Sequence, residues 1–463
     1  MSSTGTALPA GAEDWLRQRL DARELQLKRL VVRREAWQVD VVTRAGAAER
    51  YFLRIDRAAL ANAPGRRGLK RETGLIRYLC EHTSIPTQGI VDWNDEFCIA
   101  LQTFEPGRAD LDAADAGEQE AVLSEFMGYL ADLHRIEVDQ LALPDFELPP
   151  TPQAHSLMEL EAVDQIGDLP GPPDSSTVLG AFSRYWLRRH VPDSVQRTCL
   201  LQGDTGAGNF MFERGRITAI VDWEWAHYGD PLEDLGNVWL RDFFTPSAGG
   251  DLTPYFRRYA EQAGVSLDWR KIVYYLAHQL GRSVISLPGL VRRPAWNTPV
   301  AMNLGYQAVC DLLLCEAFGL YHDLAPELED LPGAAVTADD ELYEVLAKQL
   351  ARGVAPAVQG DFAAAMTAGA TDIVHYLARR HRDGPGVDER ELSGINALLG
   401  TGMRQLPEAR QALLDCLNSR PETLDEETLI AHCWGVAHRN FALMAPLVTR
   451  WQHCRLAAVN LRA

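Results

Sequence analysis

The sequence predicts an α+β chain in three parts: a small β-rich lobe, a larger mainly helical lobe, and an all-α bundle at the C-terminal end. Three observations predict it. Apolar residues alternate along much of the first hundred positions, helical spacing dominates from about residue 110, and a Pro/Gly/Ala stretch at Leu331–Thr337 precedes an almost wholly helical, Ala/Leu-rich tail. A chain of 463 residues has room for several domains, each with its own core.

Residues 1–14 carry no periodic signal and are expected to form a flexible leader. Residues 15–107 form the first lobe. WQVDVVTR and RYFLRI alternate as strands around the turn-like AGAAE, LKRETGLIRYLCEH has helical spacing, and IVDWN and FCIALQTFEPG return to strand character. Residues 108–330 form the second lobe, whose helices begin at EQEAVLSEFMGYLADLHRIEV and are broken by the Pro-rich loops ELPPTPQ and DLPGPPDSS. Inside it lies one β-rich island, TCLLQGDTGAGNFMFERGRITAIVDWEWAHYGDPLEDLG, in which FMF and ITAIVDW read as a hairpin turning at ERGR. Residues 338–463 have amphipathic patterns that suggest about five helices in an accessory bundle.

Composition narrows the function. The formal net charge is −19 and there is no block of basic residues, so the footprint of a nucleic-acid or anionic-membrane binder is missing. No segment has the apolar length of a membrane helix and the N-terminus lacks signal-peptide character, so a cytoplasmic protein is expected. The eight cysteines form no C-x-x-C pair and are expected to be reduced, mostly core residues. The twelve histidines show no metal-ligand spacing, and His432, His438 and His453 with Cys433 and Cys454 read as core or rim residues. Lysine is scarce: Lys28, Lys70, Lys271 and Lys348 are the only four, against 41 arginines, so any lysine chemistry has four candidates.

The chemistry concentrates in the island. Asp204 and Asn209 are separated by a Gly-rich stretch in QGDTGAGN, and Asp222 ends the second strand of the hairpin. A hairpin turning near Arg214–Gly215 brings Asn209 and Asp222 to the same end, where a carboxylate and an amide oxygen suit a hard cation such as Mg2+. Asp204, on the same loop, is placed to accept a proton from an attacking hydroxyl. Asp230 and Asp234 read as caps near the following helix, His134 as a packed helical residue, and Glu224 and His227 as turn residues.

QGDTGAGNFMF followed by AIVDWEWAHYGDPLEDLG resembles the aminoglycoside phosphotransferase family, which has the protein-kinase-like fold, and is most similar to the kinase domains fused to some acyl-CoA dehydrogenases. The likeness extends, more weakly, from about residue 25 to residue 325. It implies a two-lobed kinase-like unit with loop 202–209 and segment 220–236 at its site, Asp204 as catalytic base, Asn209 and Asp222 as magnesium ligands, and ATP as phosphoryl donor. It further implies a cation on the strand before the first-lobe helix. Arg54 of YFLRI holds that position where relatives often have lysine, with Glu72 as its partner, and adenine is expected against the backbone near Thr103. Three departures matter for the nucleotide site, the arginine in place of that lysine being the first. Gln202 replaces the usual histidine before Gly203, where a glutamine amide can still donate and accept to hold the loop, and RREAWQVD offers no glycine where relatives cover the phosphates, so that Trp37 and Gln38 oblige the loop to contact phosphate through side chains or not at all.

The expected function is a Mg-ATP-dependent kinase acting on a hydroxyl of a small molecule, for instance a hydroxyacyl-CoA, with Tyr274, Tyr275, His278 and Arg282 as candidate acceptor contacts. Two alternatives are a catalytically silent pseudokinase module and an antibiotic phosphotransferase. The tail resembles a helical domain of unknown function found beside such phosphotransferases, and a cap over the cleft or a homo-oligomer surface is expected of it.

Overall fold

The computed structural model describes residues 7–30, 35–61, 68–141, 143, 145–164, 171–292, 294 and 298–461. The chain opens with helix α1 (Ala12–Arg19) and strand β1 (Ala22–Arg29), followed by β2 (Ala36–Thr43) and β3 (Ala48–Ile55). A one-turn helix α2 (Arg57–Leu60), helix α3 (Leu69–His82) and strands β4 (Ile90–Asn94) and β5 (Ile99–Thr103) complete the first lobe. Among the described residues its sheet is antiparallel with order β1-β2-β3-β5-β4. The sequence misses α1 and β1. Only Ala12 and Leu16 of α1 are buried, too few to show a period, and the helix starts within the stretch expected to be a flexible leader. Strand β1 lies at the sheet edge, where charged side chains are favoured and hide the alternation of Leu25 and Leu27.

One sheet face packs on α1, with Leu16, Trp37, Val39, Val41, Leu53, Ile55 and Leu101 in a single apolar cluster. Alternation along β3 therefore turns Arg54, between Leu53 and Ile55, to the opposite face, towards α3.

The second lobe contains α4 (Ala116–His134), α5 (Pro152–Asp164), α6 (Ser175–Arg189), β6 (Cys199–Leu201), the hairpin β7 (Phe210–Glu213) and β8 (Arg216–Ile220), β9 (His227–Gly229), α7 (Pro231–Phe244), α8 (Thr253–Ala263), α9 (Trp269–Arg292) and α10 (Val300–His322). The segment leaving β5 is clamped onto the hairpin. Arg108 N–H donates to the Phe212 carbonyl at 3.0 Å, and the Arg108 carbonyl accepts the Phe212 N–H at 2.9 Å. A Cβ on Gly107 would lie 2.4 Å from that carbonyl oxygen, so only glycine admits the approach.

Helix α7 crosses α9 just as closely. A Cβ on Gly236 would stand 2.7 Å from the backbone nitrogen of Leu276 and 2.9 Å from the carbonyl carbon of Tyr275. Backbone cannot rotate aside as a side chain can, so Gly236→Ala is expected to cost about 1–3 kcal/mol, read as a lowered midpoint in urea. An unchanged midpoint would show that α7 and α9 are free to separate.

After residue 338 come α11 (Ala338–Lys348), irregular helical turns, α12 (Asp361–Leu399), α13 (Leu406–Ser419) and α14 (Glu426–Leu443). Among the described residues four long helices stand where about five are expected, because α12 continues through Gly384-Pro385-Gly386. Arg380 bridges this break, donating to the Gly384 carbonyl at 3.3 Å and to Asp388 at 2.8 and 2.9 Å. The core of the second lobe runs without interruption into Ile395, Leu413, Leu429, Ile430 and Val448. The chain end returns as well: the Trp239 indole donates to the Ala457 carbonyl at 2.9 Å. No described helix is long and apolar enough to cross a membrane. All eight cysteines are free thiols.

Candidate active site

The 202–209 loop joins β6 to β7, and the hairpin register pairs Phe210 with Ile220. The Asn209 carbonyl accepts the Val221 N–H at 2.9 Å, so Asn209 and Asp222 stand at the same open end of the hairpin. Asn209 Nδ2 donates to Asp204 Oδ2 at 2.8 Å and to the Asp204 carbonyl at 2.6 Å. The structure thus joins the three island residues. Asp222 adopts a left-handed backbone (φ 60°, ψ 61°), which Asp tolerates better than most side chains, and its carboxylate makes no hydrogen bond or ion pair with the described residues.

Gln202 stands where the resemblance expects histidine and is bonded on both sides. Its amide donates to the carbonyls of Val221 and Asp222, both at 3.0 Å, and its Oε1 accepts the Asp204 N–H at 3.3 Å. It thereby ties the start of the loop to the 221–222 turn.

The fully buried Asp234 holds the loop from below. Its carboxylate accepts the backbone N–H groups of Gln202 (2.9 Å) and Gly203 (3.0 Å), and it meets His134 Nε2 at 3.1 Å, while His134 Nδ1 lies 2.6 Å from the Tyr259 hydroxyl. Asp234 therefore caps a loop distant in sequence, whereas Asp230 caps its own helix through the Leu232 N–H at 3.0 Å and pairs with Lys271 at 3.1 Å. Glu233 beside them is fully buried. Burial raises its pKa, and the neighbouring His227, with His278 and Arg282, reverses the effect and takes it down to about 2.

Arg241 has no signal in the island motif. Its guanidinium donates to Asn209 Oδ1 at 3.0 Å and to the Ala207 carbonyl at 3.1 Å, and lies 3.8 Å from Asp204 Oδ2. A Cβ on Gly206 would stand 2.7 Å from the Arg241 Cβ, and one on Gly208 would stand 2.7 Å from its Nη2. Gly206 and Gly208 thus make room for this arginine. Asp234 and Arg241 are seven residues apart on α7, two turns, so one helix face serves the whole loop. That spacing was the available sequence signal.

In the first lobe Arg54 Nη1 meets Glu72 Oε1 at 2.6 Å, with both side chains nearly buried. Arg54 Nη2 also lies 4.0 Å from Glu224 Oε2, so a residue read as an ordinary turn member links the strand cation to the segment following Asp222. None of the four lysines pairs with this site: Lys70 meets Asp95 and Lys348 meets Glu344, Lys271 serves Asp230, and Lys28 is on the edge strand.

Several expectations need correction. Trp37 and Gln38 lie within β2, not in a phosphate-facing turn. The Trp37 ring is buried in the sheet core, and Gln38 Nε2 donates to Asp40 Oδ2 at 2.6 Å. Residues 31–34, at the turn itself, lie outside the described residues. The Thr103 amide is engaged within the lobe, donating to the Gly89 carbonyl at 2.9 Å. Tyr274 and Tyr275 are core residues whose hydroxyls meet the Leu187 carbonyl and the Ser156 hydroxyl, both at 3.0 Å. His278 is buried too, and burial pushes its pKa down to about 3. Arg282 reaches the segment after Asp222, its guanidinium lying 4.9 Å from the Trp225 ring centre.

Comparison with known proteins agrees with this architecture. A sequence match to acyl-CoA dehydrogenase family member 11 of Rattus norvegicus is 39% identical over 61 residues, 13% of this chain and 8% of that protein. Another, to acyl-CoA dehydrogenase family member 10 of Mus musculus, is 27% identical over 276 residues, 54% of this chain and 23% of that protein. The chain therefore spans under a quarter of the length of these relatives. A crystal structure of a candidate aminoglycoside phosphotransferase from Ralstonia eutropha superposes with a TM-score of 0.50 at 19% identity, covering 68% of this chain and 98% of that one, and shows the kinase-like two-lobed fold. The family model described as "Phosphotransferase enzyme family" matches residues 13–272, more than half of the sequence and all of the island, and the chain belongs to that family.

Proposed function

We propose that this protein is a magnesium-dependent kinase that transfers the γ-phosphoryl group of ATP to a hydroxyl of a small molecule in the cytoplasm. The observation that carries the reading is the convergence of Asp204, Asn209 and Asp222 at one hairpin end, connected through Glu224 to the Arg54–Glu72 pair.

The residues suit a hard divalent cation. The Asp222 carboxylate has no partner among the described residues, and Asn209 Oδ1 keeps one lone pair after accepting from Arg241. When bound there, Mg2+ supplies neutralising charge at the phosphate oxygens. Asp204 Oδ2 is fixed by Asn209, which leaves Oδ1 to orient the acceptor hydroxyl and take its proton as the oxygen attacks phosphorus. Arg54, held by Glu72, offers its remaining donors to the phosphates, the role a lysine has in relatives. Arg241 keeps Asn209 and the loop backbone in register.

For the acceptor, the named relatives are acyl-CoA dehydrogenase family members, which favours a hydroxyacyl-CoA or a similar hydroxylated metabolite. The antibiotic alternative is not favoured, because the likeness to an aminoglycoside phosphotransferase at 19% identity speaks for the fold alone. A thermal-shift titration tests the reading. ATP with Mg2+ at a hundredfold excess over Kd is expected to stabilise the protein by about 2.7 kcal/mol, a rise of several degrees, and Asp222→Ala should abolish the magnesium-dependent part. A pseudokinase that binds no nucleotide would show neither effect. Hydroxylated metabolites are then screened for ATP consumption.

A further inference from the structure

Away from the loop, three helix ends meet where the second lobe contacts the C-terminal helices. His190 caps the C-terminus of α6, His322 is the last residue of α10, and Glu426 is the first of α14. His190 Nε2 lies 2.8 Å and His322 Nε2 3.2 Å from the same oxygen, Glu426 Oε1. One potential ligand atom from each of the three lies within 4.8 Å of the others. The side chains are only 16–20% exposed.

The hydrogen bonding here is incomplete in an informative way. The Trp186 indole N–H, which can only donate, points at His322 Nε2 at 2.9 Å. That nitrogen therefore carries a lone pair, and its proton belongs on Nδ1. The lone pair then faces a carboxylate oxygen at 3.2 Å with no hydrogen between them, a repulsive contact. Glu426 Oε2, for its part, is buried and accepts no hydrogen bond from the described residues, its nearby cation being Arg189 Nε at 3.5 Å. The carbonyl ends of α6 and α10 also point into this junction and favour positive charge.

We infer that His190, His322 and Glu426 form a binding site for a zinc-like divalent transition-metal ion that ties the ends of α6 and α10 to the start of α14. Two neutral imidazoles and a carboxylate are a usual ligand set for zinc. Bonds of about 2.0–2.1 Å to a tetrahedral ion put donor atoms roughly 3.3 Å apart, close to the 2.8 and 3.2 Å between the two histidines and Glu426 Oε1. Water takes the fourth position. The cation relieves the opposed lone pairs of His322 and Glu426, and the Trp186 N–H gives way as the metal takes the His322 lone pair. Nitrogen donors select against magnesium, so the site is independent of the proposed phosphoryl-transfer centre.

The test is equilibrium dialysis of the full chain against Zn2+ with excess Mg2+ present, metal content being read by mass spectrometry, together with the visible absorption of the Co2+-substituted protein. One equivalent of Zn2+ per chain is expected, with a tetrahedral Co2+ spectrum. His190→Ala and His322→Ala should each weaken binding at least about tenfold to a hundredfold, while His453→Ala, at an exposed histidine elsewhere, should not. Glu426→Gln keeps the side-chain shape and should weaken binding as well, with metal-free melting close to that of the parent chain. Zn2+ should raise the melting temperature of the parent chain by several degrees and that of His190→Ala by less at the same concentration. Zinc that is not retained, that is displaced by Mg2+, or that binds the variants as tightly as the parent would overturn the proposal.

Discussion

Replacing Asp204 by alanine is expected to reduce phosphoryl transfer about a hundredfold to ten-thousandfold while leaving the protein folded. That range is what a positioned general base contributes, equivalent to about 2.7–5.4 kcal/mol of barrier. The loop should survive the change because its supports do not depend on this carboxylate. Asn209 Nδ2 still donates to the carbonyl of residue 204 at 2.6 Å, Gln202 still holds the 221–222 turn, and Arg241 still reaches Asn209 Oδ1 and the Ala207 carbonyl. Asp204 is also partly exposed, so little burial is lost. The measurement is kcat at saturating ATP together with the melting temperature. An unchanged rate would remove Asp204 from the chemistry, and a large fall in melting temperature would show that its bond to Asn209 is a structural support.

Asp234→Ala is expected to fail for the opposite reason. This carboxylate is fully buried and accepts two backbone N–H groups from the loop, with His134 and Asn237 also within bonding distance. Deleting it strands those donors in a dry core, at a cost of about 3–5 kcal/mol. Asp234→Asn should recover only part of the loss, because an amide presents one donor edge where two acceptors are needed. Urea denaturation reads the stability. At a urea concentration well below the midpoint, the remaining folded protein should still be nearly inactive, since nothing else fixes the 202–203 backbone from beneath. Full activity in the folded Asn variant would mean that the loop holds its shape without this anchor.

The island was largely legible. The hairpin and the meeting of Asn209 with Asp222 follow from local rules: alternation, a turn-prone ERGR, and a register that one turn determines. The Arg54–Glu72 pair was implied by the family resemblance, which places a cation on that strand, and it forms at 2.6 Å. Where the reading failed, the local signal was weak or pointed elsewhere. Trp37 looks like a turn residue in RREAWQVD, but its burial depends on α1 covering that face of the sheet. Tyr274 and Tyr275 look like cleft aromatics, but α7 packs against α9 so closely at Gly236 that they belong to the core.

By itself the sequence determined the two-lobed class, the residues proposed to act on a phosphoryl group, and, through its four lysines, that a phosphate-holding strand cation would have to be arginine. The tertiary structure alone decided that Arg241 occupies the space left by Gly206 and Gly208, that Asp234 anchors the loop instead of its own helix, that Glu224 joins Arg54, and that His190, His322 and Glu426 meet. The physical reason is range. Periodicity and turn chemistry act over a few residues and leave their record in the sequence, whereas a contact between residues as far apart as His190 and Glu426, 236 positions, exists only once helix ends have been packed side by side.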